Sequence, residues 1–445
     1  HTVADMPGDV LIIGGGSTGE AFAGALRGFE PDTRITLVER ELVGGECSYY
    51  ACMPSKALLR PAEALAAARL APGAAEAVTG ELDAARVLWH RDQVTGAGDD
   101  TSQEQWLADR DVELVRGEAM VREPGVVDAA GRELRHERLM IATGSVPSIP
   151  PIPGLDGVDY WTNREATTVR EIPASVVILG AGAVGCELAQ FFRRMGAKVA
   201  LADIADRLLP RDHPDAGALV REVFEGEGVD IHLGCKIERV APGIEVHLEG
   251  GTVLAGERLI VATGRRASVA GFGFERLGVE ISKRGIEVDG HMRAGDGIWA
   301  AGDVTGIAMF THAGKYQARV AAADAAGRPA RADHRAVPAV TFTDPQVASV
   351  GRTTGDGLVV GERRGTARLS TYERPKRPGF LKVFADPERR VLVGACAVGP
   401  EAGEWLGQLT LAVKAEVPID VLLDTIQPYP TFSEAVFFAV RDLDP

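Results

Sequence analysis

A strand, a glycine-rich turn and a helix occur twice in this 445-residue chain, an acid ends the strand after each, and a strand-rich segment follows. These three observations predict an α/β fold: two Rossmann-like dinucleotide-binding domains and an α+β C-terminal domain. The length agrees, being too great for a single core. Composition is that of a globular protein, with 45% hydrophobic and 25% charged residues. A formal net charge of -15 repels phosphate backbones and anionic lipid, which argues against nucleic acid and membrane surfaces as partners. No apolar run approaches the roughly 18 residues that span a bilayer. Residues 1–8 carry neither a basic stretch nor an apolar run, so a cytoplasmic protein without a secretory signal is expected.

The first unit is Val10-Leu11-Ile12-Ile13, then Gly14-Gly15-Gly16-Ser17-Thr18-Gly19, then a helix to about Gly28; its next strand ends on Glu39, before Arg40. The second is Val176-Val177-Ile178-Leu179, then Gly180-Ala181-Gly182-Ala183-Val184-Gly185, then a helix through Met195; its next strand ends on Asp203. Each glycine turn follows a strand, opens a helix and precedes an acid, which is the context a dinucleotide site demands. The glycines permit the tight turn, the backbone approach of pyrophosphate, and close helix–strand packing. The helix N-terminus offers unpaired N–H groups to the phosphates, and the acid accepts from a ribose diol. Two such sites in one chain suggest one dinucleotide held tightly and one that exchanges.

A second repeat supports the duplication: the strand ending Ala142-Thr143-Gly144 recurs as one ending Ala262-Thr263-Gly264, followed by Arg265. The proline-rich run 146–153 is expected to link to the second domain, and the polar stretch 331–338 to mark another boundary. Beyond it, 340–343, 380–384 and 391–394 are expected strands, and 404–414 a helix.

Five cysteines in a chain of this size do not make a secreted disulfide scaffold. Cys186, Cys235 and Cys396 stand in apolar surroundings and are expected to be small core residues. No cysteine–histidine cluster has zinc spacing, so no metal is expected. Cys47 and Cys52 differ, lying just after the doubled Gly44-Gly45 in Glu46-Cys47-Ser48-Tyr49-Tyr50-Ala51-Cys52-Met53-Pro54-Ser55-Lys56. In an ideal helix residues five apart have Cα atoms roughly 8–9 Å apart, whereas a disulfide needs about 4.4–6.8 Å. A bonded pair therefore requires a distorted first helical turn, which the doubled glycine would allow. A thiolate near a helix N-terminus is also stabilised. On spacing alone, a redox pair and two inert core thiols stay equally open.

From about residue 9 to residue 438 the chain resembles the flavoprotein disulfide reductases, the family of lipoamide dehydrogenase, glutathione reductase and mercuric reductase. The resemblance rests on GGxCxxxxCxPSK at 44–56, both glycine turns, both Ala-Thr-Gly strands, and Gly297-Ile298-Trp299-Ala300-Ala301-Gly302-Asp303. It implies an FAD-binding domain at 1–150 and 270–332, an NAD(P)-binding domain at 151–269, and a dimerisation domain at 333–445. It also implies a homodimer with the active site shared across subunits.

Residue by residue, the resemblance implies that Gly14, Gly16, Gly19 and Glu39 bind the adenylate half of FAD, with Ser17, Thr18 and Arg40 also among the cofactor-binding residues. Gly45, Glu46, Ala119, Ala142, Thr143, Gly144, Arg265 and Gly302 would join them, and Asp303 would hold the ribityl chain. Lys56, paired with Glu187, would lie by the flavin N5. Cys52 would contact the flavin, and Cys47 would be the interchange thiol of a redox disulfide. The helix opened by Met309, Phe310, Thr311, His312 and Ala313 would turn its N–H groups to the flavin O2, with His312 in no proton role. Gly180, Gly182, Ala183, Val184, Gly185, Asp203 and Gly264 would hold the nicotinamide nucleotide. A carboxylate at Asp203 suits the free 2′-hydroxyl of NADH and repels the phosphate of NADPH. Arg207 stands nearby, in a stretch (206–210) that NAD-using relatives share.

Two departures bear on the substrate. Where the family has His-Pro-Thr-x-x-Glu, this chain has Tyr429-Pro430-Thr431-Phe432-Ser433-Glu434. Tyrosine, with a reference pKa of about 10, is a poor base near neutrality, and losing a general acid–base costs roughly 10²–10⁴ in rate. Between the cysteines stand Tyr49 and Tyr50, which would either reshape the face where a disulfide docks or pack against a dimer partner. The chain also ends without the cysteine pair of mercuric reductases. The expected activity is electron transfer from NADH through FAD to Cys47–Cys52 and on to a disulfide or other small acceptor. Two alternatives stay open: a diaphorase-like reductase acting directly from the flavin, and a weakly catalytic redox sensor or assembly component.

Overall fold

The computed structural model describes residues 9–365, 368, 371 and 379–443. The expectation drawn from residues 1–8, and the last two positions of the chain, lie outside the described residues. Two compact units divide the chain, one formed by His1–Pro54, Asp92–Ser148 and Arg265–Asp333, the other by Ser55–Arg91, Ile149–Gly264 and His334–Pro445.

The first unit is built on a six-stranded sheet in the order Arg293–Gly295, Ile298–Ala300, Arg138–Ile141, Val10–Ile13, Ile35–Glu39, Val112–Arg116. Its centre is parallel, with Val10 paired to both Ile35 and Arg138. A parallel strand is covered on both faces, which is why Val10–Ile13 is apolar at every position and wholly buried. The Ser17–Phe29 and Thr311–Ala325 helices pack against each other, with Phe22, Ala23, Leu26, Ala318 and Ala321 in one core. A Cβ on Gly314 would lie 2.4 Å from Thr18 Oγ1, so only glycine lets the two helices approach this closely.

In the second unit a five-stranded parallel sheet runs Asp230–Leu233, Lys198–Asp203, Ser175–Leu179, Arg258–Val261, Tyr160–Trp161. A separate five-stranded antiparallel sheet runs Pro338–Thr341, Gln346–Gly351, Val391–Gly399, Phe380–Asp386, Val359–Arg364. The Ala402–Lys414 helix covers it through Trp405, Leu406 and Leu409. The expected strands at 340–343, 380–384 and 391–394 are all present in shifted or longer form, and Gln346–Gly351 and Val359–Arg364 complete the sheet. In Val359–Arg364 an internal glycine and two arginines hide the apolar pattern.

The start of the proline-rich run is ordered pairing and not open linker: Ser145–Pro147 forms an antiparallel pair with Arg265–Ala267. Cys186 and Cys396 are buried as expected, and burial pushes the Cys396 thiol up to about 12. Cys235 is only half-buried, its sulfur near the carbonyls of Asp203 and His232.

Candidate active site

The first glycine turn is shaped by backbone overlap. Gly14 has φ +106°, and a Cβ on it would lie 2.3 Å from the Ala142 carbonyl oxygen. A Cβ on Gly19 would lie 2.0 Å from the Gly14 oxygen. The Ser17–Phe29 helix therefore starts directly above the strand end, with Gly16 extended at its N-cap and no side chain capping it. Its first N–H groups are left for a ligand. Glu39 accepts from the Gly15 amide at 2.7 Å and from the Glu41 amide at 2.7 Å. Gly44 bridges to Gly16, and a Cβ on Gly45 would come within 3.0 Å of the Gly16 Cα. The doubled glycine thus lays a second backbone segment over the turn, a cradle that suits a pyrophosphate and excludes side chains.

Further along this unit, Ser145 donates to Asp303 at 2.6 Å and accepts from Arg265 at 2.8 Å. Arg265 also pairs with Glu46 at 3.3 Å. Burial pushes the Asp303 carboxyl up, against the pull of Ser145 and Arg265. Gly302 donates its amide to Gln317 at 2.7 Å, and Thr143 donates to the Ser268 carbonyl at 2.7 Å. Gly144 turns with φ +71°. Ala119 is buried and opens a strand of a small three-stranded sheet, and Arg40 lies at the surface, 3.9 Å from Glu41.

The cysteine segment corrects one expectation. It is not a single helix distorted in its first turn, but two helices, Gly45–Tyr49 and Cys52–Leu70, broken at Tyr50 and Ala51. The break brings the two sulfurs into mutual hydrogen-bond reach, which five residues of unbroken helix would not do. Both are thiols here. The hydrogen bond to Cys52, followed by burial, pushes the Cys47 thiol well up, while Thr311 and Lys315 act the other way. Cys52 Sγ lies 3.5 Å from Thr311 Oγ1, at the N-terminus of the Thr311–Ala325 helix. That end has no side-chain cap, so its positive dipole favours a thiolate there. Met309 and Phe310 lead into this helix, His312 stacks on Phe310 with centroids 5.3 Å apart, and Ala313 is buried.

Tyr49 overturns both readings made of it. It is 4% exposed, donates to the Val43 carbonyl at 3.1 Å and packs edge-on against Tyr50 within its own unit. Burial, then the nearby Asp100 carboxylate, pushes its phenol up to about 12. It props the Gly44-Gly45 loop instead of meeting a substrate or a partner subunit.

In the second unit, Lys56 lies near the start of the Cys52–Leu70 helix. Its ammonium donates to Glu187 at 2.8 and 3.1 Å and stands 4.5 Å from the centre of the Phe342 ring. Glu187 is buried and also accepts from the Phe342 amide at 2.9 Å. Phe342 was not singled out in the sequence; it stands 155 positions after Glu187, and no local pattern connects them.

The second glycine turn repeats the first. A Cβ on Gly180 (φ +115°) would lie 2.3 Å from the Ala262 carbonyl oxygen, and one on Gly185 would lie 1.8 Å from the Gly180 oxygen. Ala183 and Val184 open the helix, Gly264 follows the paired strand, and Asp203 accepts from the Ala181 and Ala205 amides at 2.5 and 2.8 Å. Arg207 is turned to the Pro210 carbonyl at 2.9 Å. Tyr429 is 77% exposed while Glu434 is buried, and both line a cavity of about 360 Å³ with Ile426, Phe437 and Phe438.

Residues 8–326 match the pyridine nucleotide-disulphide oxidoreductase family, and residues 337–439 match its dimerisation domain. The chain is 34% identical to a dihydrolipoyl dehydrogenase of Thermus scotoductus, covering 98% of this chain and 97% of that protein. It is 33% identical to a mercuric reductase of Streptomyces lividans over 97% of this chain and 95% of that one. Among solved structures, the Cu(II) complex of the HOCl-induced flavoprotein disulfide reductase RclA from Escherichia coli superposes with a TM-score of 0.86 at 25% identity, covering 98% of this chain and 99% of that one.

This chain belongs to the pyridine nucleotide-disulphide oxidoreductases, as a class I flavoprotein disulfide reductase. It is an FAD-dependent oxidoreductase that uses a pyridine nucleotide and works as a homodimer. No described helix is long and apolar enough to cross a membrane. Among the described residues no group of three or more His, Cys, Asp or Glu could hold a metal.

Proposed function

We propose that the chain takes two electrons from NADH, stores them as the Cys47/Cys52 dithiol, and yields them to a disulfide or another small acceptor. The observation that carries this reading is the helix break at Tyr50 and Ala51, which gives two sulfurs five positions apart a shared hydrogen bond. Inert core thiols need no such break. When bound, FAD supplies the carrier that accepts a hydride on one side and gives up an electron pair on the other.

Gly14, Gly16, Gly19, Glu39 and Asp303 would hold FAD, and Gly180, Gly182, Gly185 and Asp203 would hold NADH. Asp203, with Arg207 turned away to Pro210, favours NADH over NADPH. Lys56, clamped by the buried Glu187, supplies a fixed positive charge where reducing equivalents enter. Cys52 carries negative charge under the Thr311 helix N-terminus, and Cys47 keeps the proton until an acceptor arrives. The net conversion is NADH, a proton and a disulfide to NAD⁺ and two thiols. A cytoplasmic setting, where thiols are kept reduced, suits such a cycle.

The test is anaerobic reduction of the holoenzyme with one equivalent of NADH. A long-wavelength absorbance band and two newly alkylated thiols, Cys47 and Cys52, are expected. Wild-type protein without the band, or Cys52→Ser with it, overturns the reading.

Tyr429 supports a second reading, direct reduction of quinones or of an ion such as Cu(II), the metal in the RclA complex. An exposed phenol is a poor proton donor for a leaving thiolate. Acceptor reduction that survives Cys47→Ser would favour it. A weakly catalytic sensor is the least supported role, since it needs neither the Lys56–Glu187 pair nor a shaped second nucleotide turn.

A further inference from the structure

A run of side chains ties the cysteine helix to the acid that would hold the flavin. Glu46 stands directly before Cys47 on the Gly45–Tyr49 helix. Its carboxylate pairs with Arg265 Nη2 at 3.3 Å, and both side chains are sheltered, 24% and 21% exposed. Arg265 turns the rest of its fork onto a single residue. Its Nε donates to the Ser145 hydroxyl at 2.8 Å, and Nη2 donates to the Ser145 carbonyl at 2.9 Å. The same hydroxyl donates to Asp303 at 2.6 Å. Ser145 is buried, and its strand pairs with Arg265–Ala267, so backbone pairing fixes the guanidinium against the hydroxyl. Asp303, Ser145, Arg265 and Glu46 therefore form one unbroken line of contacts, all within the unit that carries both cysteines.

The cysteine helix needs support of this kind. It is five residues long, far too short to hold its shape alone. Before it runs the doubled glycine, and after it the chain breaks at Tyr50 and Ala51. Tyr49 braces its last residue at Val43, and the Glu46–Arg265 pair braces its first turn, beside Cys47.

We propose that Arg265 is a positioning residue for the redox pair: through Glu46 it fastens the Cys47 turn to Ser145 and Asp303, and so keeps Cys47 within reach of Cys52. The proposal rests on the reading that Cys47 and Cys52 are the redox pair and that Asp303 holds FAD. The acid that grips the cofactor and the thiol that meets the acceptor then share one support. A disulfide closes most readily when its sulfurs are already held together, so a loosened Cys47 turn favours the dithiol. Arginine is required because its planar fork reaches Ser145 and Glu46 in fixed directions, which an ammonium cannot do.

The experiment poises holoenzyme against mixtures of reduced and oxidised glutathione, without NADH, and quantifies alkylatable Cys47 and Cys52 by peptide mapping. The equilibrium read is protein disulfide plus two glutathione thiols to protein dithiol plus glutathione disulfide. Arg265→Met is expected to shift it about tenfold toward the dithiol, about 30 mV for this two-electron couple, and Arg265→Lys at least about threefold. Glu46→Ala should shift it about tenfold as well, and the Arg265→Met/Glu46→Ala double variant no further, because both changes remove one contact. Ser145→Ala, which touches neither cysteine, should shift it about threefold the same way. Glu46→Ala and Ser145→Ala carry the test where Arg265→Met does not fold. Variants within twofold of wild type, an Arg265→Lys equilibrium equal to wild type, or a double variant shifted about a hundredfold overturns the proposal. A wild-type protein that forms no Cys47–Cys52 disulfide at any poise sinks the functional reading instead.

Discussion

The two glycine turns are near copies in their backbone and differ in what lies over them. Gly14 and Gly180 each approach the carbonyl of the paired strand so closely that a Cβ would sit 2.3 Å from it. Glu39 and Asp203 each tie down the amide that follows the first glycine. Over the first turn, however, Gly44 and Gly45 bring back a second stretch of backbone, with Gly45 against Gly16. Over the second, a Cβ on Gly182 would meet nothing within 4 Å. One turn is roofed and the other open. A roofed turn suits a dinucleotide that stays, and an open one suits a dinucleotide that comes and goes. The roof is also the segment that carries Cys47, so on the proposed reading holding the first cofactor and building the redox pair would fall to the same loop.

The largest expected effects test the likeness of the turns. Gly14→Ala and Gly180→Ala should each cost about 4 kcal/mol, from left-handed strain and overlap together. Thermal melts of the two variants should show comparable losses. A Gly180→Ala variant as stable as wild type would break the comparison. The difference between the turns is sharpened by Gly182→Ala, which should melt like wild type and raise KM for NADH.

A smaller effect separates the two helices that follow. The residue after the third glycine is Glu20 in the first and the neutral, buried Cys186 in the second. Because folding raises the Glu20 carboxyl to about 7, its neutral form is favoured in the folded state. The stability this contributes is present below the unfolded-state value, near pH 4.5, and is lost as pH rises through about 7. At pH 8 ionised Glu20 should cost about 3 kcal/mol, to order of magnitude. Glu20→Gln should therefore be more stable than wild type at pH 8 and indistinguishable near pH 4.5 in denaturant titrations. A pH-independent difference would rule this out.

The smallest expected effect distinguishes the acids. Asp203→Asn should shift the kcat/KM preference toward NADPH about tenfold, roughly 1.4 kcal/mol. Glu39→Gln should leave that preference unchanged and weaken FAD retention on gel filtration. If Glu39→Gln altered the nucleotide preference, the assignment of the two turns would be reversed.

Much of this was determined by the sequence alone. Both turns, both acids, the two paired Ala-Thr-Gly strands and the Cys47/Cys52 motif were legible because each is a local pattern. Glycine is required at Gly14 and Gly180 by contacts that recur wherever a strand feeds a helix this tightly. The tertiary structure alone decided the rest. The spacing of the cysteines did not say whether they meet, and only the break at Tyr50 and Ala51 brings the sulfurs into hydrogen-bond reach. Tyr49 looked like a substrate-facing aromatic, and only its burial against Val43 shows it propping the loop. Phe342 meets Glu187 across 155 positions and carries the Lys56 ammonium over its ring. Such contacts depend on which helix faces arrive together after folding, and no pattern within one window of sequence encodes that meeting.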